Sequence, residues 1–257
     1  MGEVVTREGE CEKHGAFEET GHFIREWGKT YWAGCRECAA EEEEKERERQ
    51  RFEEQQREHS RLESENVRMN IEPEFYAATF DTFEAATEEL KHHKEKVQEL
   101  VTGAIKKIVM TGKNGTGKTH LACAALHAIR GRIMSMYEIS ATIRASYAQH
   151  AQDSEIEIVD KLARVPLLVI DELGRTKGSD TEANWLSYII DKRHTRGLPL
   201  ILISNKHVRK SCEKGGCPDC LENYIGEDIM SRLVNNGVLL RFQGEDWRKR
   251  SPTRTVD

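Results

Sequence analysis

The chain has 257 residues, 37% of them hydrophobic and 33% charged, with a formal net charge of −6 at pH 7. That length accommodates one full-sized domain plus a smaller unit, and no apolar run approaches the ~18–20 residues that cross a bilayer, so a spanning helix is excluded. The acidic balance gives no global nucleic-acid signature, so DNA binding has to come from a local basic stripe or from several subunits together.

The start, Met1–Glu8, has neither the basic lead nor the apolar middle of a secretion signal, and a cytoplasmic location is expected. In that reducing compartment the seven cysteines serve as metal ligands or buried thiols rather than disulfides. Within residues 1–40, Cys11-x-x-His14 and Cys35-x-x-Cys38 have the ligand spacing of a two-knuckle zinc ribbon. The segment between them holds Phe17, Phe23, Ile24, Trp27, Tyr31 and Trp32, too few apolar groups to stabilise so small a unit unaided. Zn²⁺ would supply that stability, and with all four positions filled its role is structural. The alternative is that these residues are scattered in a disordered arm.

Residues 41–69 form a charged helical linker. Positions 41–65 carry eleven Glu and six Lys or Arg, with Phe52 and Leu62 as the large apolar groups. No heptad seam is present, and a continuous helix here would extend about 45 Å at ~1.5 Å per residue. It reads either as a solvated spacer or as a partner-binding helix. Pro73 breaks it, Thr79–Phe83 reads as a docking segment with packing aromatics, and a helix is expected over about Glu84–Gly103. The main domain is therefore expected over 70–257.

Ile105–Thr111 is a β-branched apolar run, and Leu121–Ile129 is Ala/Leu-rich with helical spacing. Between them Gly112, four residues, then Gly117-Lys118-Thr119 satisfy the phosphate-loop pattern. Gly112, Asn114, Gly115, Thr116, Gly117, Lys118, Thr119 and His120 are the expected nucleotide-binding residues. Glycines let backbone N–H groups converge on phosphate oxygens, the following helix adds its positive end, Lys118 reaches the β- and γ-phosphates, and Thr119 offers a hydroxyl to Mg²⁺. The competing reading is a glycine turn beside a chance lysine.

Arg132–Tyr137 is expected as a short strand and Ile139–Ala148 as a helix. Val165–Ile170, a continuous apolar run ending in Asp171-Glu172, reads as a buried parallel strand delivering carboxylates to the edge of the sheet where phosphates bind. Asp171 would hold Mg²⁺ and Glu172 would polarise the attacking water. Leu200–Ser204 is a fourth strand ending at Asn205, which either orients that water or forms a turn. Val238–Phe242 is a fifth. Strands alternating with helices give an α/β fold, a five-stranded parallel sheet between helices. Cys212, Cys217 and Cys220, with His207 as the nearest fourth ligand, read either as a second zinc site or as a reduced, Gly-rich loop. Cys123 reads as a buried small apolar residue.

Gly112–Thr119, Leu168–Gly174, Ile189–Arg193, Ser204-Asn205, Gly226–Leu233 and Trp247-Arg248 together resemble the AAA+ ATPases of the DnaC-type bacterial and phage replicative helicase loaders. The resemblance spans about 70–250, and the front ribbon and lead-in are similar too. It implies a Walker A loop at Gly112–Thr119, Walker B acids at Asp171 and Glu172, and sensor I at Asn205. Arg232 matches the arginine finger acting on a neighbouring subunit, and Arg248, or Arg250, the sensor II arginine. Arg193 matches a family arginine without an assigned role. The Ile139–Ala148 helix sits where the family faces single-stranded DNA, which makes Arg144, Tyr147 and Lys161 candidate contacts, with core packing the rival role for Tyr147. The short tail after Arg248 implies an absent or vestigial helical lid. The implied activity is Mg²⁺-dependent ATP hydrolysis to ADP in a homo-oligomer that places a DnaB-type replicative helicase on single-stranded DNA. The rival is an IstB-like ATPase that regulates a transposase, whose ATPase domain is closely similar.

Overall fold

The computed structural model describes residues 3–148, 152–175, 180–208 and 217–247. The chain divides into two compact units, Met1–Glu63 and Ser64–Asp257.

In the first unit β1 (Glu3–Cys11), β2 (Gly15–Ile24) and β3 (Lys29–Trp32) form an antiparallel sheet in sequence order. Its interior is partly ionic. Arg7 Nε donates to the buried Glu19 carboxylate at 2.7 Å, and the same guanidinium lies 3.9 Å from the Trp32 ring centroid. Gly21 sits where a Cβ would approach the Trp32 ring to 2.8 Å, so the ring packs close to bare backbone there. Helix α1 runs Arg36–Met69, and its residues up to Glu63 face solvent on nearly all sides. It begins before residue 41 and takes Cys38 into its first turn. Its last residues belong to the second unit, where Asn66 and Met69 are buried. Asn70, at φ 59°, ends it in the left-handed conformation that asparagine tolerates.

The second unit contains α2 (Glu88–Thr102), β4 (Lys107–Gly112), α3 (Lys118–Ile129), β5 (Gly131–Ser135), α4 (Met136–Ala145), α5 (Glu155–Leu162), β6 (Leu167–Leu173), α6 (Asp180–Thr195), β7 (Leu200–Ser204), α7 (Leu221–Ile225), α8 (Glu227–Val234) and β8 (Gly237–Phe242). The five strands pair in the order β5-β6-β7-β4-β8, all parallel. Successive side chains of a strand point to opposite faces, and the apolar runs divide accordingly. Leu168, Ile170, Leu200 and Leu202 pack with α4, α5, α6 and α8; Leu167, Val169, Ile201 and Ile203 pack with α2, α3 and the lead-in residues Ile71, Ala78 and Phe83. A sheet covered on both faces is why these strands are continuously hydrophobic.

Two devices fix the helices. Thr87 caps α2 through Leu90 N, while Ser135 and Ser154 form reciprocal capping boxes with Glu138 and Glu157. Arg193 on α6 is 1% exposed and donates to the carbonyls of Leu162, Val165, Pro166 and Pro199, tying α6 to the loops entering β6 and β7. This gives the unassigned arginine a structural role. Among the described residues no helix is long and apolar enough to cross a membrane.

Candidate functional site

The carboxyl ends of β4, β6 and β7 open into a cleft of about 1040 Å³. The loop from Gly112 to α3 forms one wall. Gly115 (φ 71°) and Gly117 (φ 91°) adopt conformations that side chains disfavour, and a Cβ on Gly117 would meet the Phe83 ring at 2.8 Å. Lys118, 6% exposed, donates Nζ to the carbonyls of Gly112 (2.8 Å) and Lys113 (2.5 Å), so its charge is centred in the loop. Asn114, Thr116, Thr119 and His120 also line the cleft, as expected for nucleotide-binding residues.

Strand β6 supplies the acids through a bulge. Ile170 pairs with Leu202 and Leu173 with Ser204, so three steps on β6 face two on β7. Regular alternation would send adjacent residues to opposite faces; with the extra residue, Asp171 and Glu172 both line the cleft. The irregularity carries backbone strain, since Glu172 has φ 54°. Thr119 Oγ1 donates to Asp171 Oδ2 at 2.9 Å, and Glu172 N donates to Asp171 Oδ1 at 2.6 Å. Burial pushes the Asp171 carboxyl above the usual range, while these two hydrogen bonds and the Lys118 charge oppose the shift. Thr119 and Asp171 are thus a hydroxyl and a carboxylate positioned together, the oxygen donor set that Mg²⁺ takes.

Asn205 lines the same cleft at the end of β7. Its strand end is tied to β6 by Ser204 Oγ, which donates to Leu173 O at 2.6 Å. The lead-in closes the opposite side through Phe75, Thr82 and Phe83. Asn70 Nδ2 anchors it by donating to Ile133 O (2.9 Å) and Glu138 Oε1 (3.1 Å).

Three participants have no role in the cleft assigned from the sequence. Arg175 pairs with Glu172 and lines the cleft; the basic residue three positions beyond Glu172 was the available signal. Trp247 also lines the cleft and donates its backbone N–H to Gly115 O at 2.9 Å. Asp246 abuts Gly115, where a Cβ would clash with its carboxylate. Trp247 stands in the Trp247-Arg248 motif of the resemblance without a role assigned to it, and no local pattern announces Asp246.

Arg232 does not line the cleft of its own chain. It lies exposed on α8, where Nη1 donates to Asp191 Oδ1 (2.9 Å), Asp191 Oδ2 (2.8 Å) and Ser187 Oγ (3.1 Å). Arg248 and Arg250 lie outside the described residues, as does any lid beyond them. Arg144 and Lys161 are exposed and face acids, Glu182 at 4.0 Å and Asp153 at 2.5 Å. Tyr147 is not core: it is 62% exposed and its hydroxyl donates to Glu155.

In the first unit Cys11, His14, Cys35 and Cys38 bring their ligand atoms within 4.8 Å of one another. Zn–S bonds of ~2.3 Å and Zn–N bonds of ~2.0 Å in a tetrahedron imply ligand-to-ligand edges of roughly 3.5–3.8 Å. His14 Nδ1 lies 3.7, 3.5 and 3.3 Å from the Cys11, Cys35 and Cys38 sulfurs, and Cys11 and Cys38 are 3.4 Å apart. The residues present fit zinc. The other imidazole nitrogen of His14 lies 3.1 Å from Glu41 Oε1, the outer hydrogen bond that orients a metal-bound histidine.

The second cysteine cluster is described only in part, since Cys212 lies outside the described residues. His207 Nε2 and Cys217 Sγ are 3.3 Å apart, but Cys220 is 1% exposed and does not join them in a ligand group among the described residues. The backbone explains this, because Cys220 opens α7 with its side chain packed inward.

The family model described as IstB-like ATP binding protein matches residues 39–255. The replicative helicase loader DnaC of Escherichia coli K12 is 26% identical over 192 residues, 71% of this chain and 74% of that protein. The ATP-binding protein of insertion sequence IS5376 from Geobacillus stearothermophilus is 28% identical over 182 residues, 68% of this chain and 69% of that protein. Among solved structures, a DnaC helicase loader superposes with a TM-score of 0.56 at 23% identity, covering 67% of this chain and all of that one.

Proposed function

The chain belongs to the family of IstB-like ATP-binding proteins, and from that premise we propose that it is an AAA+ ATPase that loads a replicative DNA helicase onto single-stranded DNA. The bulge in β6 carries the hydrolytic part of this reading, because it turns both Asp171 and Glu172 into the phosphate-loop cleft. Glycine N–H groups of the loop and Lys118 bind the triphosphate. Thr119 and Asp171 would hold Mg²⁺, which neutralises phosphate charge when bound. Glu172 accepts the proton of the attacking water and Asn205 positions that water.

Arg232 supports assembly. Lying outside the lining of its own cleft, it is available to the γ-phosphate held by a second copy of the chain, so hydrolysis depends on neighbours and a monomer turns over slowly. The Cys11–Cys38 unit, held by zinc, and helix α1 are assigned to helicase contact; Arg144, Tyr147 and Lys161 are assigned to single-stranded DNA. The DnaC relatives support the helicase as partner.

The second reading is regulation of a transposase, favoured by the family model and by the insertion-sequence relative. Capture experiments with a purified replicative helicase and with a transposase separate the two. The loader reading expects ATP-dependent capture of the helicase and its transfer to circular single-stranded DNA, scored by unwinding. Capture of the transposase alone overturns it.

A further inference from the structure

Arg232 is held by one corner. All three of its hydrogen bonds converge on Nη1, two to the Asp191 carboxylate and one to the Ser187 hydroxyl. Nε and Nη2 make no hydrogen bond among the described residues, so one edge of the planar guanidinium faces outward with its donors available. That edge matches the spacing of two phosphate oxygens.

The holding residues are themselves fixed. Ser187 and Asp191 are one helical turn apart on α6, flanking the fully buried Ile189 and Ile190 and followed by the four-carbonyl clamp of Arg193. Helix α6 is therefore anchored two residues beyond Asp191, while α8 places Arg232 opposite through the buried Ile229 and Leu233. A long arginine left alone in solvent samples many rotamers, and a donor that must meet a phosphate on another molecule loses that freedom on arrival.

We propose that Asp191, seconded by Ser187, is a positioning residue that pre-sets the Arg232 guanidinium by its Nη1 corner and presents the Nε/Nη2 edge to the γ-phosphate of a neighbouring subunit. The inference rests on the trans-acting role given to Arg232 above. Asp191 touches no substrate. It acts through Arg232, and through the neighbour's site rather than its own. The pair is solvent-exposed, with side chains 50% and 52% accessible, so it contributes little to folding and its loss is read in turnover.

The test is steady-state phosphate release by the full chain at saturating Mg·ATP and at protein concentrations that support assembly. Asp191→Ala is expected to lower kcat about 10- to 100-fold with KM for ATP little changed. Asp191→Asn, which keeps an acceptor for Nη1, is expected to restore most of the rate, and Ser187→Ala to lose less than Asp191→Ala. Mixing Asp191→Ala with Lys118→Ala is expected to recover activity, because the second variant lends its intact arginine to the first variant's intact site. Wild-type kcat in Asp191→Ala, with Arg232→Ala inactive, overturns the positioning role and leaves the trans-acting arginine standing. Wild-type turnover by Arg232→Ala overturns both. A mixture no more active than Asp191→Ala alone also counts against the proposal, since it places the defect in the variant's own site. An unchanged thermal midpoint in both Asp191 variants excludes misfolding as the cause.

Discussion

Thr119 Oγ1 donates to Asp171 Oδ2 at 2.9 Å, joining residues 52 positions apart in the chain. The bond ties the first turn of α3 to the end of β6 and so joins the two halves of the nucleotide site. Thr119→Ala is expected to leave the fold intact and to weaken the Mg²⁺ dependence of ATP binding by about 10- to 100-fold. Titration of a fluorescent ATP analogue with and without Mg²⁺ checks it; equal Mg²⁺ dependence in variant and parent would remove Thr119 from the site.

Glu172 lines the cleft from a strained backbone and is paired with Arg175. Glu172→Gln keeps size and hydrogen bonding but cannot take a proton. It is expected to bind ATP normally and to release phosphate at least ~100-fold more slowly, the usual scale of a lost general base. Phosphate release at parental rates would show that another group activates the water.

Arg193 serves four carbonyls from a site 1% exposed, and burial, with the nearby Arg196 charge, lowers its pKa to about 10. Arg193→Met leaves those carbonyls without their donor and is expected to cost about 3 kcal/mol or more. Urea unfolding of the second unit measures the loss, and a change below 1 kcal/mol would show that water or neighbouring groups replace the clamp.

The ribbon is the proposed zinc site. The full chain is expected to hold one zinc, and Cys11→Ser with Cys35→Ser to hold none, with the first unit unfolding while the second unit keeps its own transition. Metal analysis and calorimetry read both. Two zinc ions per chain would assign the second to the Cys217 region.

His93 lies buried against Phe242, its Nδ1 has no hydrogen-bond partner, and burial, with the adjacent His92, depresses its pKa from 6.5 to about 4. Its nearest acid, Glu89, is 3.9 Å away. The unfolded chain therefore holds the proton more tightly. The stability contributed by neutral His93 is full above about pH 6.5 and is lost as pH falls from 6.5 towards 4, by up to ~3 kcal/mol. His93→Leu is expected to flatten that dependence in urea titrations at pH 7 and pH 5; an unchanged slope would place the acid sensitivity elsewhere.

Much of the second unit was legible because its signals are local. A strand that is buried on both faces has to be continuously apolar, and Leu167–Ile170 and Leu200–Ile203 are. A phosphate loop requires glycines and a lysine at fixed spacing, and a zinc knuckle requires two ligands with two residues between them. The second cysteine cluster shows the limit of spacing. Cys217 and Cys220 have the knuckle pattern, yet the start of α7 directs Cys220 inward, and sequence distance carries no side-chain direction. For Tyr147 the sequence left open a surface role and core packing; two residues beyond the end of α4, the ring is exposed, which removes the packing role.

By itself the sequence determined that this protein has a phosphate loop, a pair of acids, a parallel sheet and a four-ligand ribbon. Each is set by periodicity or by spacing within a few residues. Only the tertiary structure decided that Asp171 and Glu172 share one cleft, that Arg193 is a clamp, and that Arg232 lies outside its own cleft and is held by Asp191. Those facts depend on one extra residue in β6, on which carbonyls surround a buried charge, and on how α6 faces α8. They are relations between distant segments that no local pattern encodes.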